Sequence, residues 1–318
     1  MNYIQQVFKV KHDFWRYIVG SIIVIIASGI GQIPFTLAAL FKAMKSGGSV
    51  FEMSESDLMT ILEPNLNLFL LLLSFGFALV ALFIVVKYLH QQTIKELTTA
   101  RKKIDFIRIL FAFFFWGIIS SGMVLLDYYA APEDYVWNFE LKRFLILAVI
   151  AILFIPIQTS TEEYVFRGYL MQGFGALAKN RWFPLVLTSL IFGGMHVFNP
   201  EVSKLGYTVM VYYIGTGFFL GIITLMDEGM ELALGFHAAN NLFGALLVSA
   251  DWTVLQTHSI LKDVSDPGIG FYDIVLPVFI IFPIFILIFA KVYKWKNWNQ
   301  KLFGKIEEPV KENYKILD

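Results

Sequence analysis

The chain contains no cysteine. That excludes disulfides, thiolate metal sites and cysteine nucleophiles, and leaves the redox compartment undetermined. Charge is scarce as well. Only 16% of the 318 residues are charged, against about 25% in soluble domains. The 25 basic and 25 acidic residues cancel, so there is no global basic field of the kind a nucleic-acid binder carries. A serine elbow is missing, which leaves covalent catalysis without an obvious nucleophile, and there is no HExxH zinc motif. What remains is apolar: 57% of residues are hydrophobic and mean hydropathy is +0.66.

A helix needs roughly 20 mostly apolar residues to cross a bilayer. Charge-free runs occur at Tyr17–Phe41, Leu68–Val86, Ile109–Leu126, Phe144–Thr161, Trp182–Val197, Tyr207–Met226, Leu232–Ala250 and Ile274–Ala290. The expected fold is therefore all-α, a polytopic transmembrane helical bundle of about eight spans. The first run is too long for a signal-peptide core and reads as a retained helix. With both termini inside, inner segments hold 18 of the 25 basic residues and outer segments six, while Arg167 falls within the membrane. The positive-inside rule then predicts cytoplasmic termini, in the plasma (inner) membrane if the source is bacterial. The loop after Met226, "DEGME", fits this poorly because it has no basic residue.

No soluble domain or repeat is visible. "KSGGSVFEMSESDLMTILEPN" reads as an outer loop and "HQQTIKELTTARKK" as a polar inner connector. The lysine-rich tail from Lys291, with Trp295 and Trp298, suits the inner membrane face and reads most simply as a solvated tail.

Ionisable groups inside hydrocarbon are rare and mark functional sites by default. Here they gather in "EEYVFR" (162–167), "FGGMH" (192–196) and "HAANN" (237–241). On a helix Glu163 and Arg167 are four apart, in the favourable order for an ion pair. Glu162 points about 100° away from Glu163, which leaves one carboxylate without an obvious cation. Phe192 and His196 share a face, as do His237 and Asn241, and Gly193-Gly194 lets another backbone approach. His12, His90 and His258 fall in loops or termini and receive no role. Burying three polar motifs separately is costly, so one shared pocket is expected. A carboxylate and a neutral imidazole can deprotonate water, and Asn and His can donate to a developing oxyanion. The Glu/His/His set also matches the donors of a catalytic zinc site, so no cofactor is assigned and a single zinc ion stays an open alternative. Two other classes use the same pocket: a proton- or ion-coupled transporter, and a non-catalytic immunity or binding protein.

In these motifs the chain resembles the CPBP (CAAX-processing and bacteriocin-processing) family of intramembrane endopeptidases, which includes the type II CAAX prenyl protease. The family's hallmarks are EExxxR, FxxxH and HxxxN/D on successive segments. The resemblance implies that Glu162 and His196 activate water, that His237 and Asn241 stabilise the tetrahedral intermediate, that Glu163 and Arg167 support Glu162, and that Phe192 packs at the site. It further implies a peptide or membrane-associated protein substrate. The expected organisation is variable helices over 1–140, a protease core over 141–255, and a last helix with a cytoplasmic tail over 256–318. The motifs meet only if Glu162 lies part-way into the bilayer, which predicts a long or broken helix through 145–178.

Overall fold

A computed structural model describes residues 1–47, 53, 55–266 and 274–309. Parts of the expected outer loop (48–52 and 54) and the end of the tail (310–318) lie outside the described residues. All eight apolar runs form helices, because lipid offers the backbone no partners and a helix satisfies its polar groups internally. They are α1 (Phe14–Lys45), α2 (Pro64–Leu89), α3 (Phe106–Ala130), α4 (Leu141–Ala178), α5 (Trp182–Gly194), α6 (Tyr207–Asp227), α7 (Glu231–Leu247) and α8 (Leu276–Val292). Among the described residues five of them, α1, α2, α3, α4 and α6, are long and apolar enough to cross a membrane. The protein is an integral membrane protein.

Two helices set the depth of the site. The first is α4, 38 residues long, which runs unbroken past Pro156 and the "EEYVFR" motif and widens to a π-helical turn over Tyr164–Leu170. This is the long helix expected through 145–178. Lys179, in the left-handed conformation, ends it. The second is α5, which has only 13 residues and returns antiparallel. At 1.5 Å per residue, Glu162 stands about 24 Å above Ala178 and His196 about 21 Å above Trp182. The two motifs therefore reach the same level.

The centre is α7, whose face from Glu231 to Ala239 is wholly buried among α3, α4 and α6. Close approach of α5 and α6 depends on Gly193, where a Cβ would lie 2.9 Å from the backbone of Ile214, whereas a Cβ at Gly194 meets nothing within 4 Å. Gly193→Ala is expected to cost about 1–3 kcal/mol through overpacking, and Gly194→Ala next to nothing. Thermal unfolding of both variants in detergent checks this pair.

The ends of the helices separate into two faces. On one, a small sheet of β1 (Tyr135–Trp137), β2 (Val248–Ala250) and β3 (Leu261–Asp263) forms in the order β1-β3-β2, antiparallel for β1/β3 and parallel for β2/β3. On the other, the acids of "DEGME" find cations supplied by other segments. Asp227 pairs with Arg101 and Arg108, Glu231 with Arg101, and Glu228 with Arg181 and Lys301. The Trp295 indole donates to Asp227 and the Tyr3 backbone N–H to Glu228. The loop lacking basic residues thus sits with the basic segments expected on the inner side, and the N-terminal residues meet the segment after α8 on this same face.

His90, read from the sequence as a loop residue without a role, is fully buried at this end. Its Nδ1 donates to the Lys11 carbonyl at 2.7 Å, and Nε2 lies 2.9 Å from the Tyr169 hydroxyl. Burial pushes its imidazole down to about 4, below the unfolded value of about 6.5. The unfolded chain therefore binds more protons at this residue between these values, so the contribution of His90 to stability is full above pH ~6.5 and is lost on acidification toward pH 4. His90→Gln should flatten that part of the melting-temperature profile.

Candidate active site

The opening pair of glutamates divides its work. Glu163 is fully buried and accepts from Arg167 Nη1 at 3.0 Å and from His237 Nδ1 at 2.8 Å, both on Oε1. Arg167, 1% exposed, also donates to the Gly217 carbonyl at 3.2 Å and lies 4.2 Å from the Phe192 ring centroid. Its charge is thus met by a carboxylate, a carbonyl and a π-face, which is how a guanidinium tolerates burial. The i,i+4 geometry expected of Glu163 and Arg167 is present, as is the packing of Phe192.

Glu162 faces elsewhere. Its Oε1 accepts from Gln158 Nε2 at 2.5 Å, and its Oε2 lies 3.5 Å from His237 Nε2. That second oxygen is buried and has no hydrogen-bond partner among the described residues. His237 therefore stands between the two carboxylates, one ring nitrogen toward each. From the next turn of α7, Asn241 donates to Gln158 Oε1 at 3.1 Å and accepts from Asn240 Nδ2 at 3.1 Å.

His196 lies just beyond the end of α5, in a turn whose N–H bonds to the Gly193 carbonyl. Its Nδ1 donates to the Phe192 carbonyl at 2.8 Å. In a neutral ring that fixes the proton on Nδ1 and leaves Nε2 an acceptor. The ring stacks on Tyr213, 4.3 Å between centroids and 21° between planes. The Phe192 ring sits against both histidines, 5.0 Å from His196 and 5.9 Å from His237. All seven residues singled out in the sequence thus fall around one place. Within it, the contact to Glu162 comes from His237, while His196 is held by Phe192 and Tyr213.

Two participants were not read from the sequence. Gln158 had a usable signal, since it precedes Glu162 by four residues on the same helix. Tyr213 had none, because its stack on His196 joins α6 to the turn after α5.

Chemically the arrangement offers a buried carboxylate oxygen free to accept, an imidazole nitrogen free to accept, and amide and imidazole N–H groups at the same depth. As zinc ligands the set is Glu162, His196 and His237. Among the described residues, however, no three His, Asp or Glu side chains group closely enough to hold one ion.

Comparison with known proteins adds an independent observation. Residues 141–243 match the family model "Type II CAAX prenyl endopeptidase Rce1-like". Over this segment the chain is similar to that family. The matched residues contain every motif residue from Glu162 to Asn241, so the segment similar to the family and the polar cluster coincide. It is also 29% identical over 240 residues to the uncharacterized protein YyaK of Bacillus subtilis (strain 168), covering 75% of this chain and 79% of that protein. No solved structure matches the chain.

Proposed function

We propose that this protein is an intramembrane endopeptidase that hydrolyses a peptide bond by water activated at Glu162. The observation that carries the reading is Glu162 Oε2: a buried carboxylate oxygen without a hydrogen-bond partner among the described residues, 3.5 Å from His237 Nε2, inside the segment that matches the Rce1-like model. A water there donates to Glu162 Oε2 and His196 Nε2, which turns its lone pair outward. It attacks the peptide carbonyl carbon as Glu162 takes its proton. Asn241 Nδ2 and His237 Nε2, the latter when its ring carries both protons, donate to the developing oxyanion. One such donor is worth about 3 kcal/mol in enzymes where it has been removed. Collapse of the intermediate breaks the C–N bond, and the departing amine receives the proton from Glu162. The products are a carboxylic acid and an amine, which leave as carboxylate and ammonium once the acid's remaining proton passes to the amine. Glu163 and Arg167 hold His237 and the helix turn in place, and no step is routed through a metal.

The substrate class that fits a site within a bilayer is a peptide or protein anchored to the membrane. The basic residues, and the face shared by the N-terminal residues and the segment after α8, support cytoplasmic termini, with the protein in the plasma membrane if bacterial.

The test is a cleavage screen of purified protein in detergent against farnesylated and unlipidated CAAX peptides, with and without a zinc chelator. Cleavage that persists in chelator is the expected result. Cleavage lost in chelator and restored by zinc would contradict the Glu/His mechanism. Solute flux in liposomes without cleavage would replace the peptidase by a transporter. A cellular phenotype retained by Glu162→Gln and His196→Ala would indicate a binding protein.

A further inference from the structure

The donor to Glu162 Oε1 is the last link in a row of side chains whose direction is fixed at both ends. The row begins at Trp116 on α3, outside the 141–243 match. Its indole is 6% exposed, stacked on Phe236 (4.7 Å, 23°) and edge-on to Phe285 of α8 (5.2 Å, 87°). An indole N–H only donates, and it donates to Asn240 Oδ1 at 3.1 Å. With its oxygen so placed, Asn240 turns Nδ2 to Asn241 Oδ1 at 3.1 Å. Asn241 in turn donates Nδ2 to Gln158 Oε1 at 3.1 Å, and Gln158 donates Nε2 to Glu162 Oε1 at 2.5 Å. An ionised carboxylate only accepts. Reversing any one amide sets oxygen against oxygen or N–H against N–H, so a donor-only group at one end and an acceptor-only group at the other orient all three.

Two consequences bear on the reaction proposed above, on which this inference rests. Asn241 gives one N–H to Gln158 and keeps the second for the substrate oxygen. Glu162 is held through Oε1, which leaves Oε2 as the oxygen that meets water. We propose that Trp116 and Asn240 are positioning residues that set the polarity of this amide row and so orient Asn241 and Glu162 for catalysis. The helices outside the matched segment, α3 directly and α8 through Phe285, therefore serve the site as well as the fold.

The decisive variant is Asn240→Asp, nearly identical in shape. It still accepts from Trp116 but has no N–H for Asn241, so Asn241 and Gln158 reverse and present oxygen toward Glu162. On the full-length protein with the farnesylated CAAX peptide, kcat should fall about tenfold or more with KM within about twofold of wild type, at an unchanged melting temperature. Trp116→Phe, which keeps the ring but loses the donor, should lower kcat in the same manner. A second readout needs no turnover: in protein labelled with ¹⁵N at Asn and Gln side chains, the Gln158 and Asn241 amide signals should shift or double in both variants. Wild-type kcat together with unmoved amide signals in Asn240→Asp would overturn the inference. So would a loss of kcat matched by a loss of folded protein and accompanied by unmoved amide signals. If instead Glu162→Gln cleaves as well as wild type, the hydrolase reading fails, and the amide signals still decide whether the row is oriented from Trp116.

Discussion

Glu162→Gln should yield a folded protein whose cleavage rate is lower by about a thousandfold, the order of effect expected when a general base is removed. The fold should survive because the substitution leaves the Glu163–Arg167 pair and the Glu163–His237 contact intact. Arg167 keeps Glu163, and Gln at 162 still offers an oxygen to Gln158. What disappears is the oxygen that accepts the water's proton. His196→Ala should have the same sense, since it removes the second acceptor and leaves the Glu163–Arg167 pair intact. Rates measured alongside thermal unfolding separate this from misfolding. A Glu162→Gln protein that cleaves at the wild-type rate would leave the mechanism without its base.

Arg167→Met is expected to act on the fold instead. It leaves the Glu163 carboxylate fully buried with His237 as its remaining side-chain donor. Breaking a buried pair by removing one partner costs about 3–5 kcal/mol, and the surviving imidazole contact places this case near the lower end. A loss of about 3 kcal/mol corresponds to roughly 10 °C in melting temperature. The double variant Glu163→Gln/Arg167→Met should recover much of that loss, because no uncompensated charge then remains in the interior. Melting curves of the two single variants and the double variant in detergent check the argument. Additive losses would mean that the two side chains do not form a coupled pair.

The helices were legible in the sequence because lipid leaves the backbone a single local solution, so uninterrupted apolar runs translate directly into α1 to α8. The polar motifs were legible for a related reason. Glu163 and Arg167, Phe192 and His196, and His237 and Asn241 are each four residues apart, and the 3.6-residue period places such pairs together without knowledge of the fold. Contacts between helices had no such rule. Nothing near residue 116 marks an indole aimed at Asn240, and nothing near 213 marks a ring stacked on His196. The four-residue spacing singled out Asn241 over Asn240, and in the structure each amide has a distinct partner. His90 lies outside the helix as expected, but its burial was not legible because it comes from the N-terminal segment folding back over it. The short strands near residues 135, 249 and 262 are too brief for an alternating pattern to show.

Because the chain has no cysteine, introduced pairs report proximity without background. The central claim is that α4, the turn after α5, and α7 bring Glu162, His196 and His237 around one point within the membrane. The most direct measurement is bridging of the double variant Glu162→Cys/His196→Cys in native membranes by a bifunctional thiol reagent spanning about 5 Å, roughly one side-chain contact distance, read by mass spectrometry of the linked peptides. Efficient intramolecular bridging is the predicted result, with no bridging in a Glu162→Cys/Phe198→Cys pair, whose second residue is three-quarters exposed. Failure of the 162–196 pair to link, with both thiols shown to be reactive, would contradict it.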